Sequence, residues 1–148
     1  VEIRIRPVEE KDFSQWLRLR QLLWDELNEQ EHREEMHQIY GNPDTQLVLV
    51  AECETGEIVG FLEASIRPFA EDCVTDKVGY LEGWFVKPEF RKKGIGRALV
   101  EEAEDWARSH GCMEMASDSE ISNELSILVH SRLGYKETSC LVHWRKEL

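Results

Sequence analysis

The chain has 148 residues, 41% of them apolar and 32% charged, and a formal net charge of −12 from 30 acidic and 18 basic side chains. That length suits one globular domain spanning 1–148, with too much apolar material for a disordered chain. A field this negative repels nucleic acids and attracts cations, although the same excess also serves plain solubility.

"EIRIRP" alternates apolar and charged residues, as a strand with one wet face does. From about Asp12, the residues Phe13, Trp16, Leu17, Leu19, Leu23, Trp24 and Leu27 recur at helical spacing. "EEMHQIYGNP" reads as a second short helix, ended by Gly41 and Pro43. "QLVLVAE" and "IVGFLEASI" read as strands joined by a hairpin turn in "CETGE". After a polar excursion, "VGYLEGWFV" is a further strand with Gly83 inside it, which signals a bulge or a close backbone approach. A helix follows with Ile95, Leu99, Ala103, Trp106 and Ala107 on one face and Gly111 as its C-terminal cap. "CMEMAS" is a short strand, 123–133 is helical, and "YKETS" and "LVHWRKEL" are expected as two closing strands. The fold class expected from this order is α/β, a mixed sheet with helices on both faces.

Cys53, Cys73, Cys112 and Cys140 are scattered without a C-x-x-C pair, a pattern of buried, reduced thiols rather than a zinc site or disulfide framework. His32 and His37 lie five apart, off the face that a helical metal pair uses, and read as part of a solvated helix. The opening residues carry neither a signal-peptide core nor a targeting arm, and no apolar run approaches the ~20 residues that span a bilayer. A soluble, cytoplasmic protein without a membrane partner is expected.

The densest signal is "VKPEFRKKGIGRALV". A strand runs into a turn holding Gly94 and Gly96, with Arg91, Lys92, Lys93 and Arg97 around it, and then into a helix. The first turn of a helix has unpaired N–H groups and partial positive charge, and glycines let an anion approach them. The Walker phosphate loop is absent, and the position of a third dinucleotide-fingerprint glycine is Leu99. A lone G-x-G is also compatible with a capping turn flanked by solvated lysines.

Val86, Pro88, Arg91, Gly94 and Gly96, set between a strand and a helix, resemble the V-x-P-x-x-R-x-x-G-x-G motif of the GNAT acetyltransferases. "RQLLW", "LEASIRP", "YLEGWFV", "EMASD" and "HSRLGYKET" narrow the resemblance to the bacterial aminoglycoside 6′-N-acetyltransferases, from Arg20 to about Thr138. The resemblance implies a GNAT fold: a central, mostly antiparallel sheet with splayed middle strands. It implies acetyl-CoA as co-substrate, no metal, a cationic antibiotic as acceptor, direct attack in a ternary complex, and a homodimer. The turn Arg91, Lys92, Lys93, Gly94, Ile95, Gly96 and Arg97 would hold the pyrophosphate. Backbone groups of Trp84, Phe85 and Val86 would hold the pantetheine arm, and Asn123 matches a further coenzyme contact.

Acetylating an amine requires a neutral nitrogen and carboxylates for the other ammonium groups of a polycation. Asp118, in "SDSE" after a strand, matches the usual base, and Glu82 a binding and orienting carboxylate. The plainer readings, a cap for Asp118 and a solvated strand residue for Glu82, carry less weight. Trp24 and Phe69 match aromatic walls of the substrate site; a core Trp and a helix-capping Asn123 are the plainer readings. His130 stands where many GNAT enzymes carry a proton-donating Tyr, and a packed helix histidine fits it as well. Leu27 and Ser139 replace a His and an acid common in the subgroup, which bears on the range of acceptors. The alternatives are acetylation of another polyamine or a peptide amine, or a non-catalytic acyl-CoA-binding domain.

Overall fold

A computed structural model describes residues 2–148 of the chain. The strands are β1 (Ile3–Pro7), β2 (Gln46–Cys53), β3 (Ile58–Arg67), β4 (Val78–Val86) and β5 (Glu114–Ser117). The helices are α1 (Phe13–Leu23), α2 (Glu29–Tyr40), α3 (Ile95–Ser109) and α4 (Glu124–Arg132). The sheet runs β1-β2-β3-β4-β5, antiparallel up to β4 and parallel between β4 and β5. This is the mixed sheet expected from the order of elements.

Two cores sandwich it. Leu49, Leu62, Leu81 and Val86 pack on the apolar stripe of α3, Ile95, Leu99, Val100 and Ala103. On the opposite face Val48, Val50 and Phe61 meet Trp16, Leu17 and Leu19 of α1 and Met36 of α2. Alternation along the strands assigns successive residues to opposite helices, which is how a period of two reaches both cores.

The β3–β4 register shifts at one place. Glu63 pairs with Gly83 and Ala64 with Leu81, so Glu82 is the extra residue of a bulge. Glu82 and Gly83 consequently both face the α1 side, while Leu81 and Trp84 face α3. Gly83 is required there by a close approach: an ideal Cβ would stand 2.5 Å from Cζ2 of Trp24.

β4 pairs with β5 only as far as Leu81 and Ser117, although its pairing with β3 continues to Val86. From Glu82 onward the β5-facing edge of β4 is therefore open. That divergence is the splay between the middle strands.

Several expectations are corrected. No strand forms after α4: 135–148 has no regular secondary structure, and its Leu141, Val142 and Trp144 are exposed. A strand needs a neighbour, and these residues pair with none in this chain, although β5 is an edge strand. The wet face of β1 is not wholly wet, because Arg6 is buried in an ion pair with Asp12 (Nη1–Oδ2 2.7 Å) and a second with Glu52 (3.0 Å). α2 starts earlier than its apolar residues suggest, at a capping box in which Asn28 and Glu31 satisfy each other's backbone N–H. His32 is not solvated but 0% exposed, its Nε2 3.0 Å from the carbonyl of Trp24. His37 is exposed. All four cysteines are free thiols, but only Cys112 is buried; Cys140 is exposed, and Cys53 and Cys73 are half-buried.

Candidate active site

The α1 face of the sheet opens into a cavity of about 600 Å³ at the β4 bulge. Trp24, Glu63, Glu82 and Asp118 all line it, so three of the sequence-predicted acceptor-site residues come together. Each is placed by a different device. Trp24 ends α1, its N–H on the carbonyl of Arg20 at 2.7 Å and its own carbonyl fixed by His32. The Trp24 carbonyl can only accept, so Nε2 of His32 carries the proton and its buried Nδ1 is left without a partner.

Glu82 is delivered by the bulge and then held. Arg67 pairs with it through Nη2 (2.8 Å to Oε1), and Ser65 donates to its Oε2 at 2.5 Å. The Arg67 guanidinium lies 3.6 Å over the ring of Tyr80, and the Tyr80 hydroxyl donates to Asp118. Burial and the neighbouring Asp118 raise the Tyr80 hydroxyl well above its usual range, so it remains a donor. Asp118 follows the last residue of β5 and is exposed, with one oxygen occupied by Tyr80. The site lies beyond the carboxyl end of that strand, at the point where the sheet parts.

Below this surface is a buried ion pair. Glu63 accepts from the Trp16 indole at 2.9 Å and lies 3.1 Å from Nε of Arg20; Arg20 also reaches Glu35 at 2.6 Å. Burial pushes the Glu63 carboxyl up to about 7, against the opposing pull of Arg20 and the indole. Removing one partner of such a pair strands a buried charge, at a cost of ~3–5 kcal/mol.

The basic turn lies at the head of α3, on the opposite face of the sheet from the cavity. Gly94, at φ +84°, is the N-cap of α3 in the left-handed region that favours glycine. Among the described residues, no backbone or side-chain acceptor takes the N–H groups of Lys92 through Arg97. That run of donors at a helix N-terminus fits a pyrophosphate. Ile95 contributes only its amide, since its side chain is buried in the core. Arg91 does structural work as well: its Nε donates to the Val86 carbonyl at 2.7 Å, and its guanidinium lies 5.1 Å from the ring centre of Phe85. The open edge of β4 at Trp84, Phe85 and Val86 leads from this turn to the bulge.

Phe69 and Asn123 lie outside the lining of the acidic cavity. Phe69 is 64% exposed on the excursion after β3 and is not part of the cavity lining. Asn123 caps α4, accepting from the N–H of Ser126 at 3.1 Å. His130 spans the splay with Nδ1 2.7 Å from the Ser126 carbonyl and Nε2 2.8 Å from the Ser117 hydroxyl. Its ring lies 5.0 Å from that of Trp84. Among the described residues no helix is long and apolar enough to cross a membrane.

Sequence reasoning missed Glu63, Ser65, Arg67 and Tyr80. A signal existed: in the mostly apolar strand "IVGFLEASIR", polar residues recur at 63, 65 and 67, a polar stripe on one face. Tyr80 and Glu82 continue the same period on the neighbouring strand.

Residues 16–135 match the family model described as Acetyltransferase (GNAT) family. The chain is 42% identical over 146 residues to an aminoglycoside N(6′)-acetyltransferase type 1 of Klebsiella aerogenes, covering 97% of this chain and 96% of the relative. It is 39% identical to one of the same description from Acinetobacter baumannii, covering 99% of each. Among solved structures, it superposes with a TM-score of 0.93 and 32% identity, over 100% of both chains, on AAC(6′)-Iy in complex with the bisubstrate analog CoA-S-monomethyl-acetylneamine. The score is also 0.93, at 38% identity over 99% of both chains, for AAC(6′)-Ih from Acinetobacter baumannii.

Proposed function

This chain belongs to the GNAT acetyltransferase family, and from that premise we propose that it transfers an acetyl group from acetyl-CoA to the 6′-amine of aminoglycoside antibiotics. The single observation that carries the acceptor is the meeting of Trp24, Glu82 and Asp118 in one acidic cavity at the bulge of β4. Close similarity to enzymes named for that reaction supports it.

Acetyl-CoA supplies the acetyl group as a thioester. The free amides from Lys92 to Arg97 bind its pyrophosphate, with the charges of Arg91, Lys92, Lys93 and Arg97 around them. The open edge of β4, at Trp84 to Val86, offers backbone partners to an extended arm. Asn123, at the head of α4, adds a coenzyme contact. The amine attacks directly in a ternary complex, without a covalent enzyme intermediate.

On the acceptor side Trp24 supplies a flat wall and Glu82 a fixed negative charge for an ammonium. Asp118 takes the proton that the attacking amine must lose, directly or through one water. Tyr80 aims that carboxylate, and Phe69, outside the cavity lining, would reach only the outer part of a bulky acceptor. Initial rates with kanamycin, spermidine and a peptide amine test the assignment. Kanamycin should give the highest specificity constant; preference for either other amine would move the acceptor class, and no turnover on any would leave a binding domain.

The working form is a homodimer acting in the cytoplasm. β5 is an open edge, α4 has no buried residue, and the tail exposes Leu141, Val142 and Trp144, the last 89% exposed. Apolar material and an unpaired edge of this kind are suited to pairing with a second copy. Light scattering is expected to give twice the 17.3 kDa chain mass, and truncation after residue 134 to give a monomer. A monomeric full-length chain at working concentration would overturn the dimer.

A further inference from the structure

A site read as taking a polycation has a permanent cation in its wall. Among the described residues lining the cavity, Glu26, Glu35, Glu63, Glu82 and Asp118 are acidic, and Arg20 is the one base. Arg20 is buried, and a guanidinium does not lose its proton in a protein. Unopposed, it would repel the acceptor from beneath.

Its charge is opposed twice. Glu35 meets Nη2 at 2.6 Å from the partly exposed side of α2, where solvent screens the pair. Glu63 meets Nε from β3 and is itself only 3% exposed, so above pH 7, where its raised carboxyl is ionised, its charge acts in the low-dielectric interior. The same guanidinium lies 4.9 Å from the ring centre of Trp24, and Trp24 lies against Gly83 at the bulge. Glu63 thus connects to both the charge and the wall of the acceptor site, yet it has no part in the reaction described above.

We propose that Glu63 is a specificity-determining positioning residue: it cancels the Arg20 charge under the acceptor site and holds that guanidinium against Trp24, so that the cavity admits polycationic amines. This rests on the reading of the chain as an aminoglycoside acetyltransferase. Other charged groups face Glu63 from α2 (Glu35) and β4 (Glu82), and both are acidic. Neutralising Glu63 therefore leaves Arg20 with Glu35 alone, a partner half-exposed to solvent and screened by it.

Glu63→Gln keeps the shape and an acceptor for the Trp16 indole but removes the charge. A unit charge acting across about 10 Å at a protein's effective dielectric changes affinity about ten-fold. Measured at about pH 8, where the Glu63 carboxyl is mostly ionised, the KM for kanamycin should rise several-fold and up to about that factor. The KM for acetyl-CoA, and for a 6-amino-6-deoxyhexose carrying a single ammonium, should change much less. A second variant combines Arg20→Met with Glu63→Leu, deleting the cation together with its counter-ion. It should return the kanamycin KM to within a few-fold of wild type, and it keeps the test alive if Glu63→Gln folds poorly.

Equal losses on polycation and monoamine would show a merely structural residue and overturn the inference, as would an unchanged kanamycin KM in Glu63→Gln. A double variant that folds but stays as impaired as Glu63→Gln would also overturn it. Wild-type protein without aminoglycoside turnover would instead sink the functional reading, and this inference with it.

Discussion

The Asp118→Asn variant is expected to lose turnover by ~10²-fold or more while the chain folds as before. Asparagine keeps the length of the side chain and a carbonyl oxygen for the Tyr80 hydroxyl, which donates to Asp118. It removes only the charge and the capacity to take a proton. An alkyl ammonium must lose its proton before or during attack, so that capacity is felt in turnover rather than in binding. Tyr80→Phe is the companion variant. It leaves the carboxylate intact but releases it from its aim, and should fall between wild type and Asp118→Asn. Near-normal turnover with only a raised KM in Asp118→Asn would make Asp118 a binding group, and Glu82, its two oxygens already held by Arg67 and Ser65, would not replace it as base.

The second large effect is expected on the coenzyme. Gly96 is the second residue of α3, and an ideal Cβ there meets the side chains of Trp84, at 3.6 Å, and Val86, at 4.0 Å, both ordinary contacts. The fold therefore accepts a side chain at this position. Gly96→Glu places a carboxylate among the free amides of Lys92 to Arg97, where the helix N-terminus favours anions and now carries one of its own. Affinity for acetyl-CoA should fall ~10²-fold, by crowding and by like-charge repulsion together. Gly96→Ala should keep most of the affinity, and thermal unfolding of both should stay close to wild type. Wild-type acetyl-CoA affinity in Gly96→Glu would show that the pyrophosphate binds elsewhere.

These two variants probe the parts of the molecule that the sequence describes best. "VGYLEGWFV" coincides with β4, and Gly83 within it marks the bulge and the approach of Trp24. The glycine turn is legible because its composition is a local exception in an acidic chain. Asp118 is legible through "EMASD", but its partner Tyr80 is not, because a tyrosine in an apolar strand reads as core until its hydroxyl is seen to meet a carboxylate.

Other features were hidden for physical reasons. His32 looks solvated among Glu29, Glu31, Arg33 and Glu34, yet it shares a helical face with Met36, and that face is buried. Glu63 and Arg20 are buried charges, which patterning assigns to the surface; only their mutual pairing makes the burial tolerable. The tail 135–148 alternates like a strand and has no partner strand in its own chain. Alternation encodes the readiness to pair and leaves the partner unspecified, so the sequence indicates a strand where the single chain has no regular structure.

The reaction itself is tested most directly by the product formed from kanamycin and acetyl-CoA with the purified protein, its acetylation site assigned by NMR. A single acetyl group on the 6′-nitrogen is expected, with one CoA thiol released per acetyl transferred. Acetylation at another amine, or thiol release without an acetylated aminoglycoside, would contradict the proposed reaction.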